Sequence, residues 1–94
     1  MTIYSAPLSD IEFSLNSFVD LPSIMKYDHF GEADHSMVSD LLAEAGRFMT
    51  DIFAPLNKSG DNEGARRNAD GTVSTPQGFI EAYHAYVEAG WGAV

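Results

Sequence analysis

The sequence predicts an all-α fold: a small bundle of about three amphipathic helices, with a short β-hairpin or turn near residues 65–74. Three observations predict it. A long apolar stripe at helical spacing runs from Val38 to Leu56, and two shorter stripes of the same period span Ile11–Val19 and Phe79–Val87. Between the second and third stripes stands Asp70-Gly71, a turn dipeptide flanked by Arg66-Arg67 and Thr72-Val73. At 94 residues the chain makes one small domain. A domain of that size buries roughly 60–65% of its unfolded surface, enough for a single thin core.

Pro7 sets up the first helix, with Asp10 as its N-cap. Ile11, Leu15, Phe18 and Val19 follow at helical intervals, and Pro22 is expected to stop the run. Phe13 lies off that stripe, so a second face is also expected to be covered. Residues 23–35 read as an irregular connection.

The second helix takes Ser36 as N-cap. Val38, Leu41, Leu42, Ala45, Phe48, Met49, Ile52, Phe53 and Leu56 then recur at intervals of three and one, the spacing of one helix face. Pro55 lacks a backbone donor and is expected to close this helix within a residue or two. Asn57 to Gly64 reads as turn throughout. Asp70-Gly71 predicts a tight hairpin with very short strands.

Thr75 as N-cap and Pro76 at the first position open the last helix, a favoured pairing. Phe79, Ile80, Tyr83, Tyr86 and Val87 form its expected buried face. Gly90 is the C-terminal stop, with Trp91 packed over the last turn. Phe13, Phe18, Phe48, Phe53, Phe79 and Trp91 would each bring about 150–250 Å² to a core or an interface. Three long amphipathic helices in so short a chain present more apolar face than they can bury among themselves, so part of it is expected to meet another domain.

Composition excludes several classes of function. The formal net charge is −9, so nucleic-acid backbones and anionic membranes would repel the surface. The fourteen acids spread from Asp10 to Glu88 with no run of three, a solvated surface rather than an acidic tail. With no cysteine there are no disulfides and no thiolate chemistry. The first basic residue is Lys26, so the start lacks the charge of a targeting presequence. No apolar run approaches the ~20 residues of a membrane span. The expected location is cytoplasmic, and the glycosylation sequon Asn57-Lys58-Ser59 is expected to be idle.

Constellations that could carry chemistry are few. Asp28, His29, Glu32, Asp34 and His35 cluster as potential metal ligands, but His29 and His35 are six apart, which matches neither helical pairing nor a common loop spacing. They read as an exposed polar connection. Asn68-x-Asp70-Gly71-Thr72-Val73 imitates a calcium loop, yet the register puts Arg66 at the first ligand position and Gln77 at the twelfth, so it reads as a turn. His84 sits amid Tyr83 and Tyr86 with no serine–acid partner set, and reads as a rim histidine. No glycine-rich phosphate cradle occurs. Glu44, Glu81 and Glu88 read as helix-surface acids. Phe79, Tyr83 and Tyr86 read as core, with pocket lining as the other option. No residue is assigned a catalytic, cofactor-binding or metal-binding role.

A family resemblance is carried by four motifs in order. Tyr4-x-Ala6-Pro7-Leu8-x-Asp10-x-x-Phe13-x-Leu15 is similar to the N-terminal signature of bacterial acyl-CoA dehydrogenases of the 3-methylmercaptopropionyl-CoA dehydrogenase type. Ala54-Pro55-Leu56-Asn57 with Gly60-Asp61 and Gly64 resembles the end of the following family helix. Val73-x-x-Pro76-x-Gly78-Phe79-x-x-Ala82-Tyr83 resembles the next start, and Gly90-Trp91 the turn after it. Together they cover essentially the whole chain. The resemblance implies an N-terminal helical domain, residues 1–94, of a protein that continues into a β-barrel and a C-terminal helical bundle. It implies FAD between those two domains, an active-site carboxylate that takes the α-proton of an acyl-CoA, hydride transfer to the flavin, reoxidation by an electron-transferring flavoprotein, and a homo-oligomer. The N-terminal domain would wall the acyl pocket and support the barrel. None of the family's FAD contacts, and not its base, matches a position here, so this segment alone is expected to bind no flavin and turn nothing over. The chain ends at Val94 without a finishing element, which fits an incomplete piece. The alternative reading is a free-standing acidic helical module that docks on a partner through its aromatic faces; such a module should be monodisperse and unfold cooperatively.

Overall fold

The computed structural model describes residues 4–31 and 33–93. It is mostly helical with one small sheet, as the sequence predicts. In chain order stand α1 Leu8–Phe13, α2 Leu21–Ile24, α3 His35–Phe48, α4 Pro55–Glu63, β1 Arg66–Arg67, β2 Val73–Ser74 and α5 Phe79–Glu88. Ser14–Phe18 and Met49–Phe53 are π-helical turns, and Asp28–Phe30 and Trp91–Ala93 are 3-10 turns. The residues group into two units, Met1–Met49 and Thr50–Val94.

In the first unit α1 begins directly after Pro7, whose carbonyl accepts from the Ile11 N–H at 3.0 Å; Asp10 is inside the helix rather than its cap. The Ser14–Phe18 turn is closed by a bond from Val19 N–H to the Ser14 carbonyl, which inserts a residue into the helical repeat. That insertion rotates the end of the predicted stripe away from the packed face: Leu15 is half-buried, whereas Phe18 is 78% exposed and stands edge to face with Phe13, ring centroids 5.8 Å apart. The run ends at Asp20, which takes the left-handed conformation at φ 57° and accepts a hydrogen bond from the Ser23 hydroxyl at 2.7 Å. Pro22 therefore opens α2 instead of stopping α1, a position where its missing donor costs nothing. The stretch from 23 to 35 is correspondingly less irregular than predicted. Asp34, not Ser36, caps α3: its backbone is extended and its carboxylate accepts from the Met37 N–H at 2.7 Å. Gly46 on α3 is buried, with Ala6 and Leu8 lying where a side chain at that position would go.

The second unit corrects the sequence reading most. Pro55 opens a helix, with Ala54 before it, and residues 57–63 are helical rather than turn. Their intrinsic preference is poor, since Asn57, Ser59, Gly60, Asp61 and Asn62 all disfavour helix interiors. Packing overrides it: Gly60 is buried beneath the ring of Phe79. The hairpin is confirmed, with Arg66 opposite Ser74 and Arg67 opposite Val73. Its turn is tied by side chains, Asn68 donating to the Thr72 and Ser74 hydroxyls and Thr72 donating to Asp70. α5 starts three positions later than the Thr75–Pro76 signal predicts. Gly78 precedes it at φ 93°, close enough to Leu56 that a methyl there would stand 2.7 Å from Cδ2. Pro76 instead closes a turn, its carbonyl accepting from the Phe79 N–H. At the far end Gly90 stops α5 by donating to Val87, and Trp91 is half-buried.

The predicted buried face of α5 is not buried. Phe79, Ile80, Tyr83 and Val87 are exposed, while Ala82 and the half-buried Ala85 and Tyr86 turn inward. Among the described residues the buried positions are Gly46, Gly60, Pro76 and Ala82, and no large side chain is fully buried. Of the six rings expected to carry excess apolar surface, Phe13, Phe18 and Phe79 are exposed and Phe48, Phe53 and Trp91 are half-buried.

Candidate functional site

α4 and α5 frame a cleft of about 440 Å³ within the second unit. Phe53 from the preceding π-helical turn, Leu56 and Asn57 from α4, and Phe79, Ala82, Tyr83 and Tyr86 from α5 line it. The α5 residues recur at three and four, so one helix face supplies four walls. Phe53 and Tyr86 meet edge to face at 6.4 Å and 74°. Asn57 is the one amide in the wall. The lining holds no carboxylate, imidazole or ammonium group, so it offers nothing to abstract or deliver a proton near neutral pH; it can receive an apolar group and offer a hydrogen bond at Asn57.

Of the two options read for Phe79, Tyr83 and Tyr86, the structure gives the lining, and the core reading is corrected for Phe79 and Tyr83. Gly60, having no side chain, lets the Phe79 ring lie against α4, and Ala82 is the buried position of α5, while Phe79 and Tyr83 stand exposed at the rim. With Pro55 read as a stop, the sequence leaves Leu56 at the end of the long stripe and Asn57 in a turn, and so gives neither as a wall of this cleft. Pro55 and Gly64 bracket the segment as an N-terminal proline and a C-terminal glycine would, and that asymmetry marks α4 in the sequence. His84 is exposed beside Tyr83, ring centroids 6.1 Å apart, and does not line the cleft.

None of the other sequence candidates is among the residues that line it. Asp28 and His29 lie in the 3-10 turn, where His29 stands edge-on to Phe30 at 5.0 Å. Asp34 is committed to capping α3 and His35 is that helix's first residue. Glu32 lies outside the described residues. Among the described residues no three His, Cys, Asp or Glu side chains are placed to hold a metal ion. In the calcium-like loop, Asp70 Oδ1 accepts both the Thr72 hydroxyl at 2.6 Å and the Thr72 N–H at 3.0 Å. Those bonds, the hydroxyl first, hold the exposed Asp70 carboxyl below its ordinary value of 3.8. On α3, Glu44 pairs with Arg47 in an exposed ion pair. Glu81 and Glu88 are exposed on α5.

A flavin dinucleotide does not fit these residues. Its diphosphate needs cationic or clustered N–H donors, and the cleft lining contains no cation. No helix among the described residues is long and apolar enough to cross a membrane.

No family model matches the chain. Over 88 residues, 94% of the chain, it is 35% identical to the 3-methylmercaptopropionyl-CoA dehydrogenase of Ruegeria pomeroyi. The chain spans 15% of the length of that curated relative. The resemblance carried by the motifs from Tyr4 to Trp91 is therefore a similarity, along nearly the whole chain, to a short part of an acyl-CoA dehydrogenase.

Proposed function

We propose that this chain serves as the N-terminal helical part of a flavin-dependent acyl-CoA dehydrogenase, walling the acyl pocket and supporting the barrel, with the chemistry carried by residues outside it. The observation that carries the reading is the 35% identity to such an enzyme over 94% of the chain. The aromatic cleft supports it, because an apolar wall without an acid, a base or a phosphate cradle suits packing on an acyl chain and not turnover. The intact enzyme would desaturate an acyl-CoA thioester between its α and β carbons, hold FAD in its other domains, and pass electrons to an electron-transferring flavoprotein. It would work in the cytoplasm as a homo-oligomer. The exposed Phe13, Phe18, Ile80 and Val87 are then surfaces for the remaining domains.

Co-expression tests this reading. The tagged chain is produced together with the Ruegeria pomeroyi dehydrogenase lacking its matching segment, and the purified material is read for flavin absorbance. A yellow complex containing both pieces is expected. A colourless, monodisperse chain that leaves the remainder behind and unfolds cooperatively would favour the free-standing module instead.

A further inference from the structure

The carboxylate of Glu63, the last residue of α4, accepts a hydrogen bond from the backbone N–H of Gln77 at 2.5 Å. The two are fourteen positions apart, with the whole hairpin between them. Gln77 lies in the turn that launches α5, two positions before Phe79. The bond therefore ties the exit of one cleft helix to the entry of the other. Two close contacts stand beside it: Gly60 under the Phe79 ring, and Gly78 against Leu56. Towards the other end of the α5 face, Phe53 meets Tyr86. The cleft opens between these two fixed points. Glu63 itself is exposed and is absent from the lining.

We propose that Glu63 is a positioning residue for the aromatic cleft: by holding the Gln77 amide it fixes the start of α5 against the end of α4, and so sets where Phe79 and Tyr83 stand, without touching anything the cleft receives. A charge-assisted bond to a backbone N–H is the strong kind, and here it satisfies a donor that the late start of α5 leaves outside the helix. Its use for the acyl pocket rests on the function proposed above; its effect on the cleft does not.

The test uses the 94-residue chain and three variants, Glu63→Gln, Glu63→Asp and Glu63→Ala, followed by NMR. Glutamine keeps the reach and the acceptor oxygen. Aspartate loses a methylene and alanine loses the acceptor. The expected result is that Glu63→Ala and Glu63→Asp speed Gln77 amide exchange by about fivefold or more and shift the ring resonances of Phe79 and Tyr83, while Glu63→Gln restores both. Ring resonances that stay unmoved in both shortened variants would overturn the proposal and leave Glu63 as a local cap. So would equal ring shifts in Glu63→Gln. In the co-expressed enzyme Glu63→Ala should raise KM for acyl-CoA with kcat unchanged. An inactive wild-type complex would sink the functional reading alone, because the ring shifts are read on the isolated chain.

Discussion

The ring of Phe79 lies over the backbone of Gly60, so close that a methyl at Gly60 would stand 2.6 Å from its Cζ. This relationship makes α4 helical against its own preferences and opens the cleft beside it. Two effects of Gly60→Ala oppose each other. The helix gains about 1 kcal/mol from propensity, and overpacking costs about 1–3 kcal/mol. The net expected change is a destabilisation of about 1 kcal/mol, seen as a Tm lower by roughly 4–8 °C in thermal unfolding. The displaced Phe79 ring should also shift the resonances of Tyr83.

Gly78 and Gly71 separate backbone strain from crowding. Both have positive φ, 93° and 89°, but only Gly78 has a neighbour, Leu56, in the way of a side chain. Gly71→Ala should cost about 1–2 kcal/mol, the left-handed penalty alone. Gly78→Ala should cost about 1–3 kcal/mol more, from the clash with Leu56. Urea unfolding of the pair measures the difference, and equal losses would remove the Leu56 contact from the account.

The cap of α3 offers a clean comparison, since the sequence favours Ser36 and the structure uses Asp34. Asp34→Ala should cost about 0.5–2 kcal/mol, and Ser36→Ala less than about 0.5 kcal/mol. Amide exchange at Met37 reports the same choice locally, rising only when Asp34 is replaced.

The hairpin turn should respond to acid. Asp70 is held ionised below its ordinary value by Thr72, so its folded pKa is depressed. A depressed carboxylate contributes order that is fully present above the unfolded pKa and is lost as pH falls through the folded one. The turn should therefore keep its structure down to about pH 4 and loosen only below that. The Thr72 amide resonance, titrated from pH 6 to 2, should move in that window in the native chain and stay flat in Asp70→Asn. Thr72→Val should move the midpoint upward.

The parts legible in the sequence were those set by local chemistry. Asp70-Gly71 specifies its turn through its own side chains, and the stripe from Val38 to Phe48 specifies α3. The misreadings fall where distant residues decide. Pro55 is both a good helix stop and a good helix start, and contacts with the entry of α5, Phe79 on Gly60 and Leu56 on Gly78, favour the start. Thr75-Pro76 makes a valid helix opening, but the Gln77 amide is claimed by Glu63, fourteen residues back. The π-helical turn at Ser14–Phe18 left no signature in the spacing, so Phe18 was assigned to the wrong face. The cleft is half legible: the α5 face and Leu56 stand out by their helical spacing, whereas Asn57 reads as turn.

If this chain completes an acyl-CoA dehydrogenase without contributing its chemistry, neither piece alone will turn over. The measurement is acyl-CoA-dependent dye reduction on the chain alone, the remainder alone and the co-expressed pair. Turnover is expected for the pair only, and should be lost when Tyr83→Asp puts a charge into the apolar wall. Turnover by the remainder alone at the same rate as by the pair, or by the pair carrying Tyr83→Asp, would contradict it.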